Sequence, residues 1–117
     1  LCGNKKEKEL AHLDLISAQK ELFIIEQEVR REVIKTFDAL RRAKSILRIK
    51  EGAYLDSQKS AELAKEKFNL GAISLDELLA KQRETRQSEF EFLDAGKDIR
   101  EAYLIFYQAI GCQFEQD

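Results

Sequence analysis

Few side chains in this sequence are of types that do chemistry, and their spacing says what kind. Asp76 and Glu77 are adjacent carboxylates, a pairing that can serve general acid–base work. They follow Ser74 in the order Ser-Leu-Asp-Glu, which is also a capping box. In that motif the serine hydroxyl accepts the Glu77 backbone N–H, and the Glu77 carboxylate reaches back to the Ser74 N–H. Both acids also stand where a helix dipole favours negative charge, so a helix start explains them without catalysis. His12 is the one histidine. No nucleophile adjoins it, and a polar residue on a helix surface accounts for it. Cys2 and Cys112 lack the CxxC or Cys/His spacing of a zinc site, and no Gly-rich phosphate loop is present. No catalytic residue, metal ligand or cofactor is expected, and the chain does not read as an enzyme.

The elements that position these residues are helical. The chain of 117 residues is 36% charged and 44% apolar, with no Pro, Met or Trp, a profile of long helices or coiled coil. Net charge is −2 with Lys and Glu interspersed, so no one-signed basic face exists for nucleic acid. The longest apolar run is Leu22 to Ile25, too short to span a bilayer. The chain begins on Leu1 without a visible signal peptide, so a processed product or a piece of a longer protein is expected.

From Lys5 to Asn69 only Gly52 weakens a helix, at about 1 kcal/mol relative to Ala. Ala11, Leu15, Ala18, Leu22, Ile25 and Val29 recur in the alternation of fours and threes that makes a coiled-coil seam. A second step of four, Val29 to Val33, shifts the register like a stutter. The seam resumes at Leu40, Ala43, Leu47, Lys50, Tyr54, Ser57, Ala61, Ala64 and Phe68, with Lys50 and Ser57 its weak positions. An offset stripe runs through Ile34, Phe37, Ile46, Ile49 and Ala53, so this helix has faces for two neighbours. Unbroken, it is about 97 Å long, which suits a spacer, a fibre or the wall of something large.

Asn69-Leu70-Gly71 then reads as a helix end, with Gly71 in the left-handed conformation. A turn over about 70–73 and a second helix over about 74–110 follow. The short connection returns the helices antiparallel. Along the second helix Phe92, Ala95, Ile99, Ala102, Phe106 and Ala109 form a seam. Leu93, Tyr103 and Ile110 form another stripe, Lys81 to Glu89 is polar, and Gly111 ends the helix. The expected fold is all-α: one antiparallel coiled-coil hairpin with unequal arms over 1–117. In such a hairpin Cys2 lies about 43 Å beyond the level of Cys112, which forbids a disulfide between them. Small residues Ala53, Ser57, Ser60, Ala61 and Ala64 predict close backbone approach toward the turn.

The stretch AELAKEKFNLGAISLDELLAKQRETRQSEFEFLDAGKDIREAYLIFYQAIG resembles the C-terminal repeat of TolC-like outer-membrane efflux proteins. The elements that carry the likeness are Ala61, Ala64, Phe68, Gly71, Ser74, Asp76, Leu78, Leu79, Ala80, Gln82, Tyr103, Tyr107, Ile110 and Gly111. Upstream, Val29, Val33, Phe37, Leu40 and Ala43 resemble that family's ladder on its longest helix. The resemblance implies one hairpin of a periplasmic α-barrel, in a homotrimer whose barrel strands and first hairpin are absent from this chain. It implies location in the outer membrane with this segment in the periplasm, and an inner-membrane pump as an indirect partner. It also implies that the tip, Leu70, Gly71, Ala72, Ile73 and Ser74, docks a periplasmic adaptor. Glu77 then matches a pore-narrowing carboxylate, with Asp76 beside it; a second acidic position of some members is Ala80 here. Isolated, the chain is expected to self-associate through its second stripe. A self-contained structural or adhesive coiled coil is the alternative. An adaptor hairpin fits less well, because no Arg-x-x-x-Leu with Ser seven residues on flanks Gly71.

Overall fold

A computed structural model describes the backbone of residues 15–116 and the side chains of residues 15–111. It is an all-α antiparallel helical hairpin: α1 (Leu15–Asn69) is 55 residues long and α2 (Leu75–Gln116) is 42. The expectations for Lys5 to Asp14, His12 and Cys2 lie outside the described residues, as does the side chain of Cys112. No described helix is long and apolar enough to cross a membrane.

The expected stop at Gly111 is not there. α2 continues through it to Gln116, and Gly71 is the one glycine with positive φ among the described residues. Glycine ends a helix only when the chain takes the left-handed conformation that glycine tolerates. At Gly111 the helical hydrogen bonds simply continue, and glycine's backbone entropy is a local cost rather than a stop.

The chain divides into two compact units. Among the described residues, the unit built from residues 15–41 and 101–116 packs Val29, Val33 and Leu40 of α1 and Ala102, Phe106 and Ala109 of α2 inward. Leu40 is its most buried apolar residue, 3% exposed, and the Phe37 and Phe106 rings meet at 5.7 Å. Thr36, absent from the predicted seam, is buried as well. It supplies the missing step, three residues after Val33 and four before Leu40. Its hydroxyl lies 2.9 Å from the Glu32 carbonyl and 3.0 Å from the Val33 carbonyl. It thus satisfies itself on its own helix, which is how a β-branched hydroxyl residue can occupy an apolar position. Leu15, placed in the seam by spacing, is 78% exposed.

The unit of residues 42–100 contains the turn. Its seam is Ala43, Leu47, Lys50, Tyr54, Ser57, Ala61 and Ala64 against Leu78, Gln82, Thr85, Ser88, Phe92, Ala95 and Ile99, all buried or half-buried. The seam therefore continues through the polar stretch of α2, with two successive steps of three from Gln82 to Ser88 where a strict heptad alternates threes and fours. Tyr54 stacks on Phe92 with ring centroids 5.9 Å apart. Phe68, the last predicted seam residue, is exposed, as is Ala53.

The offset stripe of α1 is two half-stripes. Ile34 and Phe37 each follow a seam residue, Val33 and Thr36, by one position. Ile46, Ile49 and Ala53 each precede one: Leu47, Lys50 and Tyr54. One residue is 100° of helix, so the two sets flank the seam on opposite sides. All five are exposed.

Two stability measurements check this packing. Replacing Gly111 by Ala, in open helix surface with nothing within 4 Å of the added Cβ, raises unfolding free energy by about 0.5–1 kcal/mol. Urea denaturation reads this out; a loss of stability instead shows that Gly111 is a helix end. Leu40→Ala lowers stability by about 2–4 kcal/mol.

Candidate functional site

The tip is built by local hydrogen bonding. α1 ends in a Schellman motif: Ala72 N–H donates to the Lys67 carbonyl at 2.8 Å, and Gly71 N–H donates to the Phe68 carbonyl at 2.9 Å. This pair of bonds requires a left-handed residue between them, and Gly71 supplies it with φ +77°. No atom lies within 4 Å of where a Gly71 Cβ would stand. The requirement for glycine is therefore conformational and not steric crowding by neighbours. Lys67 is the basic residue of the last turn, complementing the negative end of the helix dipole.

α2 starts on Ser74. Its Oγ accepts the Glu77 N–H at 3.1 Å, and its carbonyl accepts the Leu78 N–H at 3.2 Å. Only this half of the capping box forms; among the described residues the Glu77 carboxylate makes no return bond to Ser74. Instead Glu77 lines a cleft of about 370 Å³ between the arms, with Lys67, Lys81, Leu63, Ile73 and Ala80 among its other walls. Lys81 also pairs with Glu84 at 3.5 Å. Ile73 and Leu78 hold the two positions of a hydrophobic staple, Ile73 half-buried and Leu78 buried.

The structure thus gathers Leu70, Gly71, Ala72, Ile73 and Ser74 in one turn, with Asp76 and Glu77 in the first turn of α2. Leu70 is 84% exposed at the apex, and Ala72, Asp76 and Glu77 are exposed. The arrangement offers a small apolar knob, backbone accessible between small residues, and fixed negative charge beside it. It holds no nucleophile with an attendant base. Among the described residues no three His, Cys, Asp or Glu side chains are grouped to hold a metal ion.

Behind the tip lies a contact that motif reading missed. Thr85 Oγ1 is 3.0 Å from the Ser57 carbonyl across the seam and 3.1 Å from the Lys81 carbonyl on its own helix. Ser57 turns its own hydroxyl onto the Tyr54 carbonyl at 2.7 Å. A side chain as short as threonine reaches a facing backbone only where the helices approach closely, as the small residues of α1 predict. The signal was present in the sequence: Leu78, Gln82 and Thr85 keep the seam spacing, and Ser57 and Thr85 are equidistant from Gly71.

Separate substitutions distinguish the two halves of the turn. Gly71→Ala forces a side chain into left-handed backbone and costs about 1–2 kcal/mol, while Ser74→Ala removes the cap and costs about 1 kcal/mol. Denaturant midpoints check both, and a neutral Gly71→Ala contradicts the Schellman geometry.

No family model, no curated protein and no solved structure matches the chain.

Proposed function

We propose that this hairpin is a wall element of the periplasmic α-barrel of a trimeric outer-membrane efflux channel, docking by its tip to a periplasmic adaptor in a tripartite export system. The observation that carries the reading is apolar surface left over after the hairpin has closed its own seam. Ile46 (48% exposed) and Ile49 (67%) precede seam residues of α1 by one, while Leu79 (38%) and Leu93 (61%) follow seam residues of α2 by one. Because the arms are antiparallel, these opposite offsets point to opposite flanks of the hairpin. A two-helix coiled coil complete in itself has no use for two such flanks. A hairpin in the wall of a ring has a neighbour on each side, meeting one flank of each copy with the other flank of the next.

In this reading the exposed turn meets the adaptor. Gly71 and Ala72 let a partner helix approach the backbone, and Leu70 supplies apolar contact. Asp76 and Glu77 lie just past the tip on α2 and, repeated around the threefold axis, set negative charge at the narrow end of the pore. The inner-membrane pump is then reached only through the adaptor. The resemblance of the sequence to TolC-like proteins supports the assignment to the outer membrane, with this segment in the periplasm.

Two measurements test the reading. An antibody to this chain, used on fractionated source cells with and without heating, is expected to mark an outer-membrane band much heavier than 13.6 kDa. A soluble band at that mass sinks the channel and leaves a free coiled-coil protein. In the isolated chain, Ile49→Glu is expected to keep the helical circular dichroism and shift sedimentation toward monomer. A chain that is strictly monomeric before substitution removes the argument from the flanks.

A further inference from the structure

In the unit that contains the turn, the two open flanks match each other level by level. Thr85 Oγ1 lies 3.0 Å from the Ser57 carbonyl across the seam, so these residues mark one level of the hairpin. Eight residues further from the turn on each arm stand Ile49 and Leu93, and six residues nearer the turn stand Leu63 and Leu79. All four are exposed. Ile49 and Leu63 precede the seam residues Lys50 and Ala64, while Leu79 and Leu93 follow Leu78 and Phe92. The members of each pair therefore lie on opposite flanks and cannot meet within one hairpin. They meet between two copies that stand side by side, point the same way and are not shifted along the axis. Charge agrees with that register. Asp56 and Arg86 share the level next to that of Ser57 and Thr85, again on opposite flanks. Glu89 is level with Ala53, and Arg83 lies within one residue of the level of Ser60, so neither meets a like charge. One level is mismatched: Arg42 and Arg100 coincide, at the end of the unit furthest from the turn. A shift of one heptad either way sets Leu93 against Arg42 or Asp56. A twofold pairing through α2 brings Leu79 to Leu93 only by setting Arg86 against its own copy, and it leaves Ile49 and Leu63 uncovered.

We infer that a second copy of this chain covers each flank in one orientation and one register: α2 of one copy packs antiparallel on α1 of the next, with Leu93 on Ile49, Leu79 on Leu63 and Arg86 beside Asp56. The contact is heterologous, since each copy offers a different flank to each neighbour, so it closes into a ring or runs on as a filament. It is weaker than the seam. The seam buries Leu78 and Ala95 fully and Leu47, Tyr54, Phe92 and Ile99 in part, whereas the flanks carry two apolar levels separated by charge. The hairpin therefore forms first and the copies associate second. The inference uses the same flanks as the ring reading and adds the direction and register of the neighbours. It stands whether or not the ring belongs to a channel.

The test uses full-length chains with Cys2→Ser and Cys112→Ser. One carries Ile49→Cys and a heavy-isotope label, and the other carries Leu93→Cys. They are unfolded in urea, refolded together in equal amounts and oxidised, and intact mass separates mixed disulfides from like-linked ones. The mixed product is expected to exceed both like-linked products together by about tenfold, because the contact raises local concentration for that pair of thiols alone. Leu63→Cys with Leu79→Cys is expected to give the same excess, and Ile49→Cys with Leu79→Cys none. A second measurement uses the mismatched level. Arg42→Glu sets opposite charges beside each other there, and is expected to lower the dissociation constant in sedimentation about threefold, an effect that fades with salt. An excess of like-linked products, random proportions or no linkage overturns the inference, as does an Arg42→Glu chain that associates no more tightly. The channel reading is judged separately, by the outer-membrane band, which these results leave untouched.

Discussion

The hairpin depends on a single residue being able to adopt positive φ. α1 is uninterrupted for 55 residues, and nothing upstream of the turn in its composition forces it to end. The end comes where Gly71 turns left-handed and the carbonyls of Lys67 and Phe68 take donors from beyond the helix. Ser74 then supplies an acceptor to the first free N–H groups of α2. A stop and a start three residues apart reverse the chain within one short turn. Within the unit that contains the turn, pairings between the arms such as Tyr54 with Phe92 follow from the return direction set there.

The turn fixes direction and approximate level, but not which sides of the helices meet. That choice follows from burial: the seam carries Leu47, Tyr54, Leu78, Phe92, Ala95 and Ile99, while one residue round α2 presents Arg83, Arg86, Glu89 and Arg100. The Lys50–Glu91 pair is part-exposed, with side chains 38% and 42% accessible, and such pairs contribute about 0–1 kcal/mol. The Thr85 hydroxyl is shared between a facing and a local carbonyl. Both contacts add to a seam that apolar burial already favours. The Tyr54–Phe92 stack and the small residues Ala61 and Ala64 add packing that the other face lacks. The seam still leaves Ile46, Ile49, Leu79 and Leu93 exposed on its flanks, which links its packing to the proposed place in a barrel wall. Exposed apolar area of that kind is a liability in a free protein and an interface in an assembled one.

Much of the fold was legible because its causes are local. Helix periodicity, the left-handed glycine and the serine cap each involve residues within about five positions of one another, and the seam from Ala18 to Ala64 follows from spacing. Local reasoning failed where a residue type carries two meanings. Gly111 has the composition of a helix end but the backbone of a helix interior. Thr36 looks polar in sequence but hides its hydroxyl on its own helix. Glu77 fits the capping box yet makes only the backbone half of it, because its side chain lines the cleft with Lys67 and Lys81.

By itself the sequence determined two helices, their turn, their antiparallel return and the set of residues able to form a seam. These depend on backbone conformation and on a period that neighbouring residues impose. Only the tertiary structure decided that Thr36, Gln82, Thr85 and Ser88 lie inside, and that the offset stripe of α1 is split between two flanks. The physical reason is that two stripes one residue apart have the same period. Choosing between them takes the partner helix, whose facing residues, such as Thr85 opposite the Ser57 carbonyl, are far apart in the chain and meet only once the arms have packed.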